Sequence, residues 1–284
     1  MVKTFFVFIT HLFLFCGKAN CQSYLNGDFR KANYTTNGYK YCVYDFSVDG
    51  NGIKAKFFSK DAYSRYLSWK MNRQILLVTV SAFSNSWNFD AIPVGLCLDD
   101  GYVVNRVLSE NMDGMVVVYN SGEIIVADLG KQVSIKTDSG TVALSVKYSY
   151  LDRYKFLKWG QDNKLTLFQT QLVYSAEREL NFTNLRYGQK RERRFLAICK
   201  KGNISHHVIV DAPDQLELNL SAYYAKATLE YGGFEVSSIL NLETGGRNIL
   251  YVYNGAYLKD IAPNRRSEEA KIEKSTNLLV YYKE

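Results

Sequence analysis

Three polar groups sit at the ends of apolar runs, where a folded chain would present them to a cleft. Asp211 closes the run Val208-Ile209-Val210 and is followed by Ala212-Pro213. Glu243 closes Ser238–Leu242 and opens the sequence Glu243-Thr244-Gly245-Gly246-Arg247. Arg194 belongs to a basic run with Arg186, Lys190, Arg191, Arg193, Lys200 and Lys201, relieved only by Glu192. Two carboxylates can divide acid and base work between them. A guanidinium fork matches two oxygens of a phosphodiester, and paired glycines let backbone approach a ligand closely. Each group also has a plainer use. Asp at such a turn commonly bonds its own loop amides, Glu243 and Arg247 can form a surface ion pair of little energetic value, and basic runs are mostly solvated faces. Tyr223 and Tyr224 read as packing residues before they read as sugar platforms.

These groups need a frame of strands. Phe195–Lys200 and His206–Asp211 predict a hairpin turning on Lys201-Gly202-Asn203. Leu220, Tyr224, Ala227 and Tyr231 recur at helical spacing, which predicts a helix over Leu220–Tyr231 that buries that face. Asn219 or Ser221 can cap it, and Gly232-Gly233 can end it. The apolar runs Val208–Asp211 and Ser238–Asn241 predict neighbouring interior strands beneath that helix. Upstream, residues 22–40 are polar and read as an irregular arm. Tyr41–Val48 reads as the first strand, returned as Ile53–Ser59 by Asp49-Gly50-Asn51-Gly52. Asp61–Met71 has helical spacing with Asp61 at its cap. Strands follow at Ile75–Phe83, Pro93–Leu98, Tyr102–Val107, Met115–Tyr119, Ile124–Leu129, Val142–Tyr148 and Leu165–Val173. Asp99-Asp100-Gly101 and Asn120-Ser121-Gly122 supply hairpin turns. After the central stretch, Asn254-Gly255 joins Ile249–Tyr253 to Tyr257-Leu258, Pro263–Lys274 is partly helical, and Asn277–Tyr282 closes the chain. Many strands, tight turns and two or three helices predict a single α+β domain with a largely antiparallel or mixed sheet.

The order and spacing of RRFLAIC, VIVDA, LNLSAYYA and ILNLETGG resemble the core of the phosphodiester glycosidase family. There an RTAIG-like strand, a strand ending in VDG, an LTLSELA-like helix start and an NLDGGGS strand follow one another. PVGLCLDDGYVVN at 93–105 is similar to the family's PVGL hairpin, LFQTQLVY to its glutamine-bearing strand, and NLLVYY to its closing strand. The resemblance covers roughly Tyr41 to Glu284, making 41–284 the phosphodiester glycosidase-like domain. It implies hydrolysis of a sugar-1-phosphodiester, so a carbohydrate or glycan phosphodiester as partner; no cofactor and no metal-ligand set is read from the residues. It also implies Asp211 and Glu243 as the catalytic carboxylates, with Arg194, Gly245, Gly246 and Arg247 binding substrate.

Several polar positions depart from the family pattern. VSAFS at 80–84 stands where the family has NGGFF, so Val80 replaces an asparagine and Ser81 and Ala82 replace glycines. Ala212 replaces a glycine, Glu243 an aspartate and Arg247 a serine. Phe195 aligns with the strand-leading arginine, so Arg194 can serve there only through a one-residue shift, which on a strand needs a bulge. Two readings follow: a phosphodiester glycosidase whose activity is altered or lost, or a non-catalytic exported glycan-binding, anion-binding or structural domain of the same fold.

Composition sets the compartment. Lys3 precedes the apolar run Phe5–Phe15, and small or polar residues follow, which reads as a signal peptide over 1–21 rather than a membrane span. The protein is expected to be secreted or periplasmic; the Lys-Ala-Asn before Cys21 does not favour a lipid anchor. Loss of Lys3 and Lys18 lowers the formal charge from +7 to +5, too small an excess to imply nucleic acid. Cys42, Cys97 and Cys199 remain, an odd number in apolar runs, which favours buried thiols over a disulfide framework. Adjacent His206 and His207 give no metal-ligand spacing.

Overall fold

Apolar side chains alternate along the central strands, so successive residues feed two different cores. Leu196, Ile209 and Leu240 enter one apolar cluster, while their neighbours Phe195, Ala197, Val208, Val210 and Ile239 enter another. A computed structural model describes residues 29–49, 52–86, 91–178, 189–244, 248–254, 257–259 and 272–284. Its strands are β1 (Phe29–Thr36), β2 (Tyr39–Ser47), β3 (Ile53–Phe58), β4 (Gln74–Thr79), β5 (Cys97–Asp99), β6 (Tyr102–Asn105), β7 (Gly114–Val118), β8 (Ile124–Asp128) and β9 (Val133–Thr137). They continue as β10 (Gly140–Leu144), β11 (Thr166–Ser175), β12 (Arg191–Lys201), β13 (Ile204–Leu216), β14 (Glu235–Leu242), β15 (Leu250–Asn254), β16 (Tyr257–Lys259) and β17 (Leu278–Lys283). The helices are α1 (Ala62–Trp69), α2 (Tyr150–Asp162) and α3 (Leu218–Tyr231).

A ten-stranded sheet has the order β1-β2-β13-β12-β14-β11-β5-β6, with β7 and β8 branching from β11; a five-stranded sheet has the order β16-β15-β4-β17-β3. The two sheets pack face to face. Phe46 of the first stacks on Tyr281 of the second at 4.2 Å between ring centroids, and Phe168 on Phe57 at 4.5 Å. Such pairs add about 0.5–1.5 kcal/mol each beyond the area they bury. Against the outer face of the large sheet lies α3, and against that of the smaller sheet lies α1. Packed with β5, β7 and the β9–β10 hairpin, α2 closes a third apolar cluster. The described ladders are antiparallel, and the fold is α+β, with three α-helices among the described residues. No helix among the described residues is long and apolar enough to cross a membrane.

Several expectations change in three dimensions. The second half of the supposed irregular arm is β1, paired along its length with β2. β3 does not return on β2 but joins the other sheet beside β17. Val208–Asp211 and Ser238–Asn241 are interior strands under α3, yet β12 lies between them. Leu220 and Tyr231 of α3 are solvent-facing, and Leu218, Ser221, Ala222, Ala225, Thr228 and Leu229 are buried instead. Small residues let the helix approach the sheet, and the tyrosines lie at its rim. Neither Asn219 nor Ser221 caps that helix; its cap position is Glu217, with no side-chain bond, while Gly233 takes the left-handed conformation beyond its end. α2 had no expectation over its range: its inward face is only Phe156, Leu157 and Gly160, too few to set a period.

A candidate site where the two sheets meet

Three segments converge at one end of the sandwich, where the chain passes between sheets. Residues 79–86 leave β4, residues 243–244 follow β14 and 248–249 precede β15, and residues 275–277 enter β17. Backbone bonds tie the first two together: Glu243 N–H donates to Ser81 O (3.0 Å) and Val80 N–H to Ile249 O (3.4 Å). Fully buried Asn277 ties in the third. Its Oδ1 accepts from the amides of Ser81 (3.0 Å) and Ala82 (2.9 Å), and its Nδ2 donates to Ala82 O (2.8 Å). Every polar group of that side-chain amide is used, so the turn after β4 is held without glycine.

Beneath this junction, Arg194 and Asp211 face each other in register across β12 and β13. Both point between the sheets, as Leu196 and Ile209 do. Nε and Nη2 of Arg194 donate to Asp211 Oδ1 at 3.2 and 3.0 Å. Nη1 donates to Thr79 Oγ1 (3.2 Å) and Ile249 O (2.8 Å), and Nη2 also donates to Asn248 Oδ1 (2.7 Å). These bonds span both sheets. The guanidinium is 0% exposed and the carboxylate 2%, so the pair is an internal strut. Burial and the charge of Arg191 push the neighbouring Arg193 guanidinium below its ordinary value.

Glu243 is half-buried, and its Oε2 accepts from the Ser84 hydroxyl at 3.0 Å; Ser84 and Thr276 share a further hydroxyl bond of 2.6 Å. Glu192 is half-buried as well. Its Oε2 accepts from Asn248 Nδ2 (3.0 Å), and its backbone carbonyl accepts from Thr244 Oγ1 (2.8 Å). The ladder of β12 with β13 is irregular here: Arg191 pairs with Leu216 and Arg193 with Ala212, so Glu192 faces Pro213, Asp214 and Gln215 together. Proline cannot donate to a ladder, so the irregularity suits it.

Of the residues predicted for the site, Asp211 and Arg194 come together as one buried pair, while Glu243 stands at the junction above them and accepts from Ser84. Gly245, Gly246 and Arg247 lie outside the described residues. Val80 is fully buried in the core beneath α1. The basic run divides, because Lys200 and Lys201 occupy the far end of β12, roughly 30 Å from Arg191 at strand rise. There Lys201 Nζ caps α3 through Gly232 O (2.7 Å). Sequence reasoning passed over Glu192, Asn248, Ser84, Thr276 and Asn277. The lone acid among the cations 186–201 was the one local hint. Among the described residues no three His, Cys, Asp or Glu side chains converge on a metal position. Cys97 and Cys199 are buried thiols whose titration is pushed up, chiefly by burial.

No family model matches the chain, and no curated protein matches it significantly. Among solved structures it is similar to a hypothetical protein from Synechocystis, at 12% identity and a TM-score of 0.48, over 90% of this chain and 62% of that one. It is also similar to the zebrafish N-acetylglucosamine-1-phosphodiester alpha-N-acetylglucosaminidase catalytic domain, auto-inhibited by its pro-peptide, at 10% identity and a TM-score of 0.49. That similarity covers 94% of this chain and 88% of the zebrafish domain. The chain thus spans a little under two thirds of the Synechocystis protein's length. Likeness at this level is remote.

Proposed function

We propose that the chain is an exported phosphodiester glycosidase-like protein that takes a sugar-1-phosphodiester at the junction above Arg194 and Asp211, with Glu243 as its working carboxylate. The reaction class comes from the sequence resemblance. The observation that supports the site is Glu243 itself, half-buried, oriented by Ser84, and rooted where both sheets converge. A half-buried carboxylate that accepts from the Ser84 hydroxyl is placed to exchange a proton with water or with a leaving oxygen. Asp211 has a different part in this proposal. Sealed against Arg194, it acts by holding that guanidinium, which in turn fixes Asn248 and Ile249 at the foot of the junction. Gly245, Gly246 and Arg247 are proposed to meet the phosphate.

One observation favours the second reading, a non-catalytic glycan- or anion-binding domain. All five N–H groups of Arg194 are accounted for by five protein bonds, so phosphate contact would have to come from Arg247. The deciding experiment is hydrolysis of an N-acetylglucosamine-1-phosphodiester by wild type and Glu243→Gln. The expected result is measurable wild-type turnover that falls by about 10²-fold or more in the variant. Turnover that survives Glu243→Gln removes Glu243 from the chemistry. Absence of wild-type turnover, with binding of N-acetylglucosamine-1-phosphate weakened by salt, selects the non-catalytic reading.

A further inference from the structure

We infer that Glu192 is a positioning residue that clasps both roots of the segment between Thr244 and Asn248. This rests on the site proposed above for its functional consequence, but the clasp itself stands on geometry alone. One residue reaches both sides. Its backbone carbonyl accepts from Thr244 Oγ1 at 2.8 Å, and its carboxylate accepts from Asn248 Nδ2 at 3.0 Å. Thr244 follows the proposed catalytic Glu243 directly, and Asn248 begins the crossing into β15. The chain therefore leaves Glu192 and returns to it four residues later.

The clasp is connected to the buried strut. Asn248 donates to Glu192 and accepts from Arg194 Nη2 (2.7 Å), so its amide orientation is fixed from both sides. Glu192 and Arg194 both bond the Asn248 side chain, which places their side chains on the same side of β12. The irregular ladder, with three residues of β13 opposite Glu192, releases this position from regular pairing. Irregularities of this kind re-aim a side chain beside a site. A carboxylate acceptor strengthens an amide donor's bond relative to a neutral one, which accounts for an acid at this place in a basic run. Nothing in the clasp requires Glu192 to touch substrate. Its effect on catalysis is to keep Glu243 and Thr244 in one geometry with Asn248, and a misplacement of about half an ångström at such a site already costs rate.

The test compares Glu192→Ala, Glu192→Gln and Thr244→Val by amide hydrogen exchange, with the full mature chain. Alanine removes the side-chain acceptor and glutamine retains one, while Thr244→Val breaks the other root. Exchange at Glu243, Thr244, Asn248 and Ile249 is expected to rise roughly ten-fold in Glu192→Ala and Thr244→Val, as loss of one such bond implies. It should stay near wild type in Glu192→Gln, with β12 and β14 protected throughout. Wild-type exchange in both Glu192→Ala and Thr244→Val, or a rise as large in Glu192→Gln as in Glu192→Ala, overturns the clasp. So does a rise spread evenly over the sheets, which marks general destabilisation. A parallel assay on the sugar phosphodiester separates the two ideas. Given wild-type turnover, kcat should fall in Glu192→Ala and recover in Glu192→Gln with KM little changed; an unaltered kcat in alanine refutes the positioning role alone. Without wild-type turnover the functional reading fails, and the exchange pattern still decides the clasp.

Discussion

Replacing Asp211 by alanine leaves the Arg194 guanidinium in place with its counter-charge gone. The cation stays 0% exposed, so water cannot reach it without opening the sandwich. It keeps Thr79, Ile249 and Asn248 as neutral acceptors but loses the two bonds from Nε and Nη2. Breaking a buried pair from one side costs about 3–5 kcal/mol, or roughly two to four powers of ten in the folded population. Against a typical total of about 5–15 kcal/mol, the variant should be folded but markedly weakened. Asp211→Asn keeps an oxygen for Arg194 and should cost less than alanine. Arg194→Met combined with Asp211→Ala removes both charges, so the double variant should be more stable than the sum of the singles by at least about 1 kcal/mol. Urea unfolding followed by far-ultraviolet circular dichroism measures wild type, the three single variants (Asp211→Ala, Asp211→Asn and Arg194→Met) and the double variant, with the denaturant slope checked for constancy. A cost below about 1 kcal/mol for Asp211→Ala, or strict additivity in the double variant, would refute the strut.

Gly95→Ala should lower the melting temperature by several degrees, a cost of at least about 1 kcal/mol. Gly95 has φ +86°, and a Cβ there would stand 2.4 Å from Gln169 Oε1. Gln169 cannot step aside cheaply: its amide bonds Leu96 N, Ser109 N, Ser109 O and Met112 O, and unchanged melting would contradict that anchoring. Burial pushes His207 down to about 4; the unfolded chain takes up this proton near pH 6.5 while the folded chain stays neutral. Stability is therefore fully present above about pH 6.5, falls by up to about 3 kcal/mol as pH drops to about 4, and levels off below. Urea titrations across that window should show the slope for wild type and a shallower one for His207→Phe. N-terminal sequencing of exported material should begin near Asn20 or Gln22, and a retained Phe5–Phe15 run in a membrane fraction would contradict cleavage.

Much of the frame was legible because it is local. The apolar, β-branched runs 195–200 and 206–211, with Lys201-Gly202-Asn203 between, specified the hairpin of β12 and β13. The turns at Asp99-Asp100-Gly101 and Asn120-Ser121-Gly122 likewise specified the hairpins that form. The paired glycines after Tyr231 marked where α3 stops. Periodicity told less about which face of α3 is buried, since a tyrosine satisfies an apolar pattern from the rim as well as from the core. Asp211, Glu243 and Arg194 were visible as polar groups ending apolar runs. What the sequence left undecided was whether each would be sealed or reachable.

Tertiary structure decided that. Asp211 and Arg194 became one strut because the second sheet covers them, a fact settled by Thr79 of β4 and by Ile249 just before β15, which lie 115 and 55 residues from Arg194. β3 left its sequence neighbour β2 for β17, some 220 residues away by register. Asn277 and Ser81 are 196 residues apart, and Asn248 meets Arg194 across 54. A side-chain amide or carboxylate carries the same local propensity wherever it falls, and only burial beside a distant backbone creates the demand that it answers. Local preference chose the elements, and the need to bury both faces of β12, β13 and β14 chose their partners. The candidate site arose where those choices brought the two sheets' crossing segments together.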